Sequence, residues 1–485
     1  MKKIKNILKI LTLLSVSLPT FAQQTPNDPL NAIVKIISVS CEPNFILPWE
    51  KKMQDHSSGS GVVIKGNYIL TNAHNVAYST YISVSKNNDG FPVNAKIVAI
   101  NHQCDLALLK VENDSFFEDI TPFEIGETPP VQNQVLVAGY PFGGDGISIT
   151  QGIISRIETI IYTHSYESLL AAQLDAAVNS GNSGGPAIHN GKIAGIVFQG
   201  SKEGEGLGYI IHTDIIKHFL NDAKDGSIKG FGRFGLALGT LENPDARTFL
   251  KMKEKQSGVL ILDKAKNLIS KPEIKVGDVL LENDGFKIMN NANIRNERNE
   301  TVLFRTISDR KELGDFVNVK LLRDGKEFDA QIQLVKRNCK VKPYLYETPA
   351  KYFTIGGYVF TTLTFSYIAE WWNAQSSPPH NLLDCLNNEF DNEDDEVVIL
   401  SQVLGDEVNL GYQYISHEIV VAVNDKKIKN LKQFTEIIDA QKDGFVKITT
   451  ADKSQIILDI KKARNGWERI KKNYKIPADR SDDLK

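Results

Sequence analysis

Apolar residues in the first third of the chain recur in short runs separated by polar turns. Residues 61–64 and 68–70 are apolar, and Lys65-Gly66-Asn67 lies between them. This pattern predicts two strands joined by a tight turn. A further apolar run at residues 106–111 predicts another strand, so short strands dominate this part of the chain.

Apolar runs continue beyond residue 228 in two further stretches. The runs at 258–262 and 274–282 lead into an Asn-Asp-Gly turn at 283–285, a pattern typical of a small β-barrel. A similar strand and turn at 419–425 makes the second stretch a faint repeat of the first. With 485 residues, 41% of them apolar and 24% charged, the chain is long enough for about three globular domains.

The first 22 residues differ from the rest. Three lysines lie within the first five positions, an apolar run ends near Leu18, and Ala22 offers a small residue for cleavage. We expect a secretory signal peptide cut after Ala22, because the apolar stretch is too short for a membrane span. A retained anchor is the alternative. Export to the periplasm or the exterior, with no stable membrane span after cleavage, is the expectation.

Charge and cysteine usage exclude several classes of function. The formal net charge is −3, and no basic stripe with interleaved aromatic residues predicts a nucleic-acid partner. The four cysteines form no CxxC pair and have no histidine at metal-ligand spacing, so neither a metal nor a cofactor is expected. Free thiols are favoured, and a Cys41–Cys104 disulfide stays open. The acidic stretch 387–396 lacks the central glycine of a calcium loop and is interpreted as solvated.

The stretch GNSGGP at 181–186 carries the strongest chemical signal. It places Ser183 in a turn of small residues whose backbone N–H groups can converge on one point. Acyl transfer to a serine requires such donors, because the tetrahedral intermediate carries an oxyanion. We therefore expect Ser183 as nucleophile and the N–H groups of Gly181, Asn182 and Ser183 as the oxyanion hole.

Two upstream motifs complete the chemistry. TNAH at 71–74 ends a predicted strand with His74, and Asp105 opens the strand at 106–111. The order His, Asp, Ser is that of chymotrypsin-like proteases and differs from the orders in subtilisins and α/β-hydrolases. Nine histidines are present, and His102, three residues before Asp105, is the main rival for the base. We expect His74 as base and Asp105 as its orienting partner.

Together, TNAH, the run DLALLKV at 105–111 and GNSGGP resemble the HtrA/Deg family of serine proteases. The segments GYPFGGD at 139–145 and VVILSQVL at 397–404 are similar to its plant-type Deg branch. The resemblance implies a mainly β chain in which a chymotrypsin-like double β-barrel protease domain is followed by two PDZ-like domains. The expected division is a signal peptide at 1–22, the protease at 27–222, PDZ domains at 230–336 and 343–462, and a C-terminal tail at 463–485.

The resemblance also implies binding sites and assembly. Ile196, Val197 and Phe198 should line a pocket for a small or medium apolar side chain of the substrate. The loop of Phe234, Gly235, Leu236 and Ala237 should bind peptide termini. Aromatic residues Phe45 and Trp49 lie in a segment that contributes to trimers in the family, so a homo-oligomer of three chains or a multiple of three is expected. Asn75, where many relatives carry an apolar residue, should have a small effect.

Family resemblance implies ATP-independent cleavage of unfolded or damaged polypeptides as periplasmic protein quality control. Two alternatives remain at this point. One is a chaperone or scaffold that binds unfolded chains through its PDZ domains with little proteolysis. The other is a regulatory protease with one dedicated target.

Overall fold

The computed structural model describes residues 28–87, 91–141, 144, 146–176, 178, 179, 181–200, 207–336, 338–386, 388–390 and 392–485. The expected signal peptide at 1–22 lies outside these residues. Among the helices described, none has the length and apolar character needed to cross a membrane.

Six antiparallel strands close the first barrel. They are β1 (Ile33–Ser40), β2 (Asp55–Ile64), β3 (Tyr68–Thr71), β4 (Ser79–Ser85), β5 (Val93–Asn101) and β6 (Leu106–Val111). Their order around the barrel is β1-β2-β3-β6-β5-β4, and β4 returns to pair with β1. The predicted hairpin is β2 and β3, in which Val62 lies opposite Leu70.

A second closed barrel follows. Its strands are β7 (Gln134–Gly139), β8 (Ser148–Ile161), β9 (Ser168–Asp175), β10 (Pro186–His189), β11 (Lys192–Gly200) and β12 (Leu207–His212), in the order β10-β11-β12-β9-β8-β7. Helix α1 (Thr213–Asp222) ends this part of the chain and buries one apolar face that includes Ile216 and Phe219. The two closed six-stranded barrels confirm the expected double-barrel fold.

The middle unit, residues 229–336, is an antiparallel sheet with short helical segments. Its elements are β13 (Leu236–Gly239), α2 (Pro244–Phe249), β14 (Val259–Lys264), β15 (Ser270–Lys271), β16 (Val279–Asn283), β17 (Phe286–Lys287), β18 (Asn293–Arg295), β19 (Thr301–Leu303), a 3-10 helix (Phe304–Arg310), β20 (Phe316–Arg323) and β21 (Lys326–Gln333). The main sheet runs β13-β14-β16-β20-β21-β15, and β17 pairs with β16.

The C-terminal unit, residues 338–485, repeats this arrangement with more helix. It contains β22 (Tyr352–Ile355), β23 (Tyr358–Thr362), α3 (Phe365–Asn373), α4 (His380–Leu383), β24 (Val398–Val403), β25 (Glu418–Val423), β26 (Lys426–Lys427), α5 (Leu431–Ala440), β27 (Phe445–Thr450), β28 (Gln455–Asp459), α6 (Ile460–Asn465) and α7 (Trp467–Tyr474). The sheet runs β22-β23-β24-β25-β27-β28, and β26 pairs with β25. The remaining 3-10 helices are Pro29–Ala32, Asp114–Phe117, Ala223–Asp225, Glu407–Asn409 and Asp482–Leu484.

Residues expected to form a separate tail instead pack on the C-terminal unit. The N–H of Thr354 donates to Asp479 O at 2.6 Å, and the N–H of Ser481 donates to Tyr352 O at 3.0 Å. Ile470 of α7 is fully buried. Because these residues extend the sheet and fill its core, 463–485 is structurally part of this unit.

An N-terminal segment of the double barrel also packs into the C-terminal unit. Phe45 is 1% exposed and shares a core with Leu363, Tyr367 and Ile368. The Trp49 ring meets the Tyr352 ring edge-on at 5.6 Å between centroids. Phe45, expected at a trimer contact, is thus buried within one chain, whereas Trp49 is only partly buried.

A partly buried ion pair connects the middle unit to the second barrel. The Arg233 guanidinium donates to Glu167 at 2.7 Å and to Asp309 at 3.2 Å. The Arg305 side chain donates to the carbonyl of Ser168. The apolar core of the middle unit is continuous with that of the barrels.

Candidate active site

The predicted base lies in the turn after β3. Pairing of Thr71 on β3 with Ala107 on β6 brings His74 next to Asp105, which directly precedes β6. Asn72 donates from its side-chain amide to Asp105 O at 2.9 Å. Strand pairing and this hydrogen bond therefore hold the two turns together.

The carboxylate of Asp105 accepts two hydrogen bonds from His74. One carboxylate oxygen accepts the main-chain N–H of His74 at 2.9 Å, and the other accepts Nδ1–H of the ring at 2.7 Å. Asp105 is 1% exposed and adopts φ +54°, a left-handed conformation uncommon outside glycine. Because a carboxylate only accepts, the proton sits on Nδ1 and the Nε2 lone pair is left for a proton donor.

The electrostatic environment favours a charged imidazolium at His74 and a charged carboxylate at Asp105. Burial disfavours the imidazolium, but the charge and hydrogen bond of Asp105 outweigh it and raise the pKa of His74 above its ordinary value. Burial also favours the neutral form of Asp105, yet the charge and hydrogen bonds of His74 lower the pKa of that carboxyl. The pair is therefore suited to stabilise a proton arriving at His74.

Ser183 reaches the same site from the second barrel. Its carbonyl accepts a hydrogen bond from the side chain of Asn75, the residue after His74, at 2.9 Å. The hydroxyl donates to Phe198 O at 3.5 Å and, among the described residues, makes no hydrogen bond to His74. A loose nucleophile–base contact is common in the absence of substrate.

Two backbone amides beside Ser183 are free to bind an oxyanion. Within the described part of the chain, no acceptor lies in hydrogen-bond range of the N–H groups of Gly181 and Ser183. Gly181 adopts φ +97°, which a side chain would oppose. The N–H of Asn182 instead donates to Asn179 O at 3.0 Å. Because this turn occupies the Asn182 amide, two of the three expected donors, Gly181 and Ser183, are open in this structure, and their role as an oxyanion hole stays a prediction.

Ser60 of the first barrel fixes the loop that carries these amides. Its hydroxyl donates to Gly181 O at 2.7 Å and accepts the N–H of Tyr140 at 2.7 Å. Its own N–H donates to Ser183 O at 2.8 Å. The sequence analysis missed Ser60, and only its position in GSG at 59–61 could have drawn attention to it.

The expected substrate pocket residues lie on β11 and are buried. The N–H of Val197 donates to Gly185 O at 2.9 Å, and its carbonyl accepts from Gly184 at 2.8 Å. Phe198 packs on Tyr162, with ring centroids 4.4 Å apart, and Ile196 is fully buried. Asp175, the acidic residue at the end of β9, is exposed. The placement is compatible with an apolar pocket, which stays a prediction.

The loop at 234–237 stands at an edge of the middle sheet. Phe234 is 6% exposed and packs on Phe304, and Gly235 adopts φ +63°. Leu236 and Ala237 begin β13, which pairs with β14 and forms the end of the described sheet. An edge strand beside a glycine loop is suited to peptide addition.

Two further histidines adjoin the base. His102 and His164 share a hydrogen bond of 2.9 Å between Nδ1 and Nε2, and the His164 ring lies 6.1 Å from that of His74. Burial is the main cause that lowers the pKa of His102 to about 3 and that of His164 to about 4. His102 bonds to His164 and not to the carboxylate of Asp105, so His74 alone has the geometry of the base.

The C-terminal unit covers this histidine pair. Tyr346 stacks on His102 with centroids 3.7 Å apart and donates from its hydroxyl to His164 O at 2.8 Å. The carboxylate of Glu347 accepts the N–H of Tyr78 at 2.8 Å. No local sequence signal pointed to this contact, because it joins residues far apart in the chain.

Comparisons with known proteins agree with this geometry. Residues 59–196 match a trypsin-like peptidase domain, and residues 341–483 match a PDZ domain. The chain is 37% identical over 457 residues to the putative protease Do-like 3, mitochondrial, of Arabidopsis thaliana, covering 94% of this chain and 80% of that protein. It is 34% identical to the chloroplastic protease Do-like 2 of the same plant, covering 96% and 79%.

A solved structure of the HtrA-type protease AlgW with a decapeptide is 23% identical. The match covers 64% of this chain and 96% of that one, with a TM-score of 0.47.

Proposed function

The chain belongs to the HtrA/Deg family of Do-like serine proteases, and from that premise we propose that it cleaves unfolded polypeptides without ATP, using Ser183, His74 and Asp105. The family and the trypsin-like domain make the protein a serine endopeptidase. The roles of the individual residues, the substrate class and the cellular task are the proposal.

The assignment of His74 as base and Asp105 as its partner rests on the two hydrogen bonds between them. These bonds fix both the ring orientation and the tautomer, at 2.9 Å and 2.7 Å. Ser183 stands on a loop bonded to the residue that follows the base. Among the described residues, the N–H groups of Gly181 and Ser183 make no backbone hydrogen bond and are available to an oxyanion. This combination supports acyl transfer better than a purely structural role.

In the proposed reaction, Ser183 Oγ attacks the scissile carbonyl carbon while His74 Nε2 accepts the hydroxyl proton. The carbonyl π electrons move to oxygen, and the N–H groups of Gly181 and Ser183 bind that oxyanion. When the C–N bond breaks, the proton on His74 passes to the leaving amine. Water then attacks the acyl-enzyme by the same route and releases Ser183.

One movement must precede the reaction. Because Ser183 Oγ donates to Phe198 O at 3.5 Å, the hydroxyl has to turn away from that carbonyl before it donates to His74. That single weak bond opposes the rotation. We therefore propose that bound substrate completes the alignment of nucleophile and base.

Partner and location proposals rest on fewer observations. The edge strand at Leu236–Gly239 supports binding of extended peptide segments. Assembly as trimers or multiples of trimers follows from the family resemblance. The lysines and apolar run of residues 1–22 support export to the periplasm, whereas the named relatives are mitochondrial and chloroplastic. Protein quality control is the task that fits a protease of unfolded chains.

The testing experiment compares the wild-type protein with Ser183→Ala on reduced, unfolded casein without ATP. We expect cleavage by the wild type alone. Parallel light-scattering assays follow aggregation of an unfolding client. If neither protein cleaves casein while both suppress aggregation, the chaperone alternative replaces proteolysis of unfolded chains. Cleavage of one native protein but no unfolded one would favour the dedicated regulatory protease.

A further inference from the structure

Asn75, the residue after the base, joins the two barrels at the nucleophile. It is 5% exposed, and its side-chain amide donates to Ser183 O at 2.9 Å and to Thr71 Oγ1 at 3.1 Å. The carbonyl of Asn75 accepts the hydroxyl of Ser38 at 2.6 Å. Both its side chain and its backbone are thus fixed by polar contacts in a buried position.

Neighbouring hydrogen bonds decide which way the amide points. The Thr71 hydroxyl donates its proton to Ser60 O at 2.7 Å, so toward Asn75 it can only accept. Ser183 O is an acceptor as well. Two acceptors therefore face one end of the amide, and that end must be the nitrogen.

Ser183 O thereby receives two donors, the amide of Asn75 and the N–H of Ser60 at 2.8 Å. Because the peptide unit is planar, fixing this carbonyl also fixes the direction in which the chain leaves Ser183. Ser60 holds the carbonyl of Gly181 on the other side of the turn. The backbone between the two proposed oxyanion donors is anchored at both ends.

Two glycines make room for the amide. A Cβ on Gly59 would lie 2.5 Å from Cγ of Asn75, and a Cβ on Gly184 would lie 2.8 Å from Nδ2. Both distances are well inside van der Waals contact. The close approach of the amide to the nucleophile loop therefore depends on the absence of side chains at both positions.

We infer that Asn75 is a positioning residue for the nucleophile. It acts through the carbonyl of Ser183, which it holds so that the hydroxyl of that residue and the two free amides keep one arrangement. The inference rests on the proposed role of Ser183. It replaces the expectation from the sequence that Asn75 matters little.

The test uses full-length Asn75→Ala and Asn75→Asp. Alanine removes one of the two donors, whereas aspartate places an oxygen against two acceptors. Ser38→Ala is the matched control, because it removes a buried hydrogen bond from the same turn and leaves the amide contact to Ser183 intact. The readouts are kcat and KM on a chromogenic peptide per active site, and the rate at which a fluorophosphonate labels Ser183.

We expect kcat and the labelling rate to fall about tenfold in Asn75→Ala and about a hundredfold in Asn75→Asp, since small misplacements of reacting groups cost such factors. KM should stay within about twofold. The midpoint of the kcat/KM pH profile of Asn75→Ala should not move, because that change adds no charge and leaves the His74–Asp105 contact untouched. Ser38→Ala should keep the wild-type kcat per active site.

Distinct outcomes separate this inference from the proposed function. If the fluorophosphonate does not label wild-type Ser183, the proposed nucleophile is wrong. If the wild type is labelled and both Asn75 variants keep its kcat per labelled site, with only a lower melting temperature, the positioning role is refuted. A shifted pH midpoint in Asn75→Ala would likewise refute it, since Asn75 would then act on the base. Should Asn75→Asp not fold, Asn75→Ala decides.

Discussion

Replacing Asp105 with asparagine tests the base assignment through a defined change of tautomer. The main-chain N–H of His74 needs an acceptor at 2.9 Å, so the amide oxygen of the new residue must face it. Its NH2 group then faces His74 Nδ1 across 2.7 Å. Nδ1 becomes the acceptor, the ring proton moves to Nε2, and the lone pair that should receive the Ser183 proton is lost.

Loss of that tautomer in chymotrypsin-like enzymes costs kcat a factor of about 10,000. At 1.36 kcal/mol per tenfold, this corresponds to about 5.4 kcal/mol of transition-state stabilisation. The fold should survive, because the exchange preserves shape and keeps the hydrogen bond to the main chain. KM should change little, since Asp105 is buried and does not reach substrate.

The assay is steady-state hydrolysis of a chromogenic peptide, normalised to folded protein. Asp222→Asn is the matched control: Asp222 is also buried and accepts the main-chain N–H groups of Lys229 and Gly230, but among the described residues it makes no hydrogen bond to His74. It should keep the wild-type kcat. A decrease of less than about tenfold for Asp105→Asn would refute the assignment of Asp105 as the residue that orients the base.

Other predictions concern stability and the contact between units. Burial lowers the pKa of His102 to about 3 and that of His164 to about 4 in the folded protein. In the unfolded chain a histidine has a pKa near 6.5, so below pH 6.5 the unfolded chain binds more protons than the folded one. The free energy of unfolding therefore falls on acidification. Between pH 7.5 and pH 5, the free energy of unfolding of His102→Phe, measured by urea titration, should fall by about 2 kcal/mol less than that of the wild type. Equal falls in the two proteins would contradict this. Tyr346→Ala removes the stack that joins the C-terminal unit to His102 of the first barrel. Limited proteolysis of the chain between the middle and C-terminal units should then be severalfold faster. An unchanged rate would show that the stack does not hold the C-terminal unit in place. Arg233→Ala removes the guanidinium that forms an ion pair with the buried carboxylate of Asp309. The free energy of unfolding should fall by about 3 kcal/mol. A fall of less than about 1 kcal/mol in the same titration would argue against a stabilising role of the Arg233–Asp309 pair.

Local sequence patterns were sufficient for much of the site. His74 lies in the turn after β3 and Asp105 directly precedes β6, and these two strands pair in the barrel, so the motifs and the strand pattern predicted that both residues lie close together. The glycine-rich turn predicted Ser183 as nucleophile, and the roles of all three residues stay a prediction. The double-barrel fold followed from the same motifs and is confirmed by the two closed six-stranded barrels.

Contacts between distant parts of the chain escaped prediction. The amide of Asn75 meets Ser183 only because the two barrels pack together, and no periodicity in either segment encodes that meeting. The same holds for Phe45, whose burial in the C-terminal unit depends on tertiary packing. The hydrogen bond from the N–H of Asn182 to Asn179 O depends on a local turn, which a string of small residues does not specify.

Covalent labelling tests the central claim most directly. The wild-type protein is treated with a fluorophosphonate at neutral pH, digested and analysed by mass spectrometry, beside Ser183→Ala and His74→Ala. We predict one adduct, on Ser183, absent from Ser183→Ala and formed at least a hundredfold more slowly in His74→Ala. An adduct on another serine, or an equal labelling rate without His74, would contradict it.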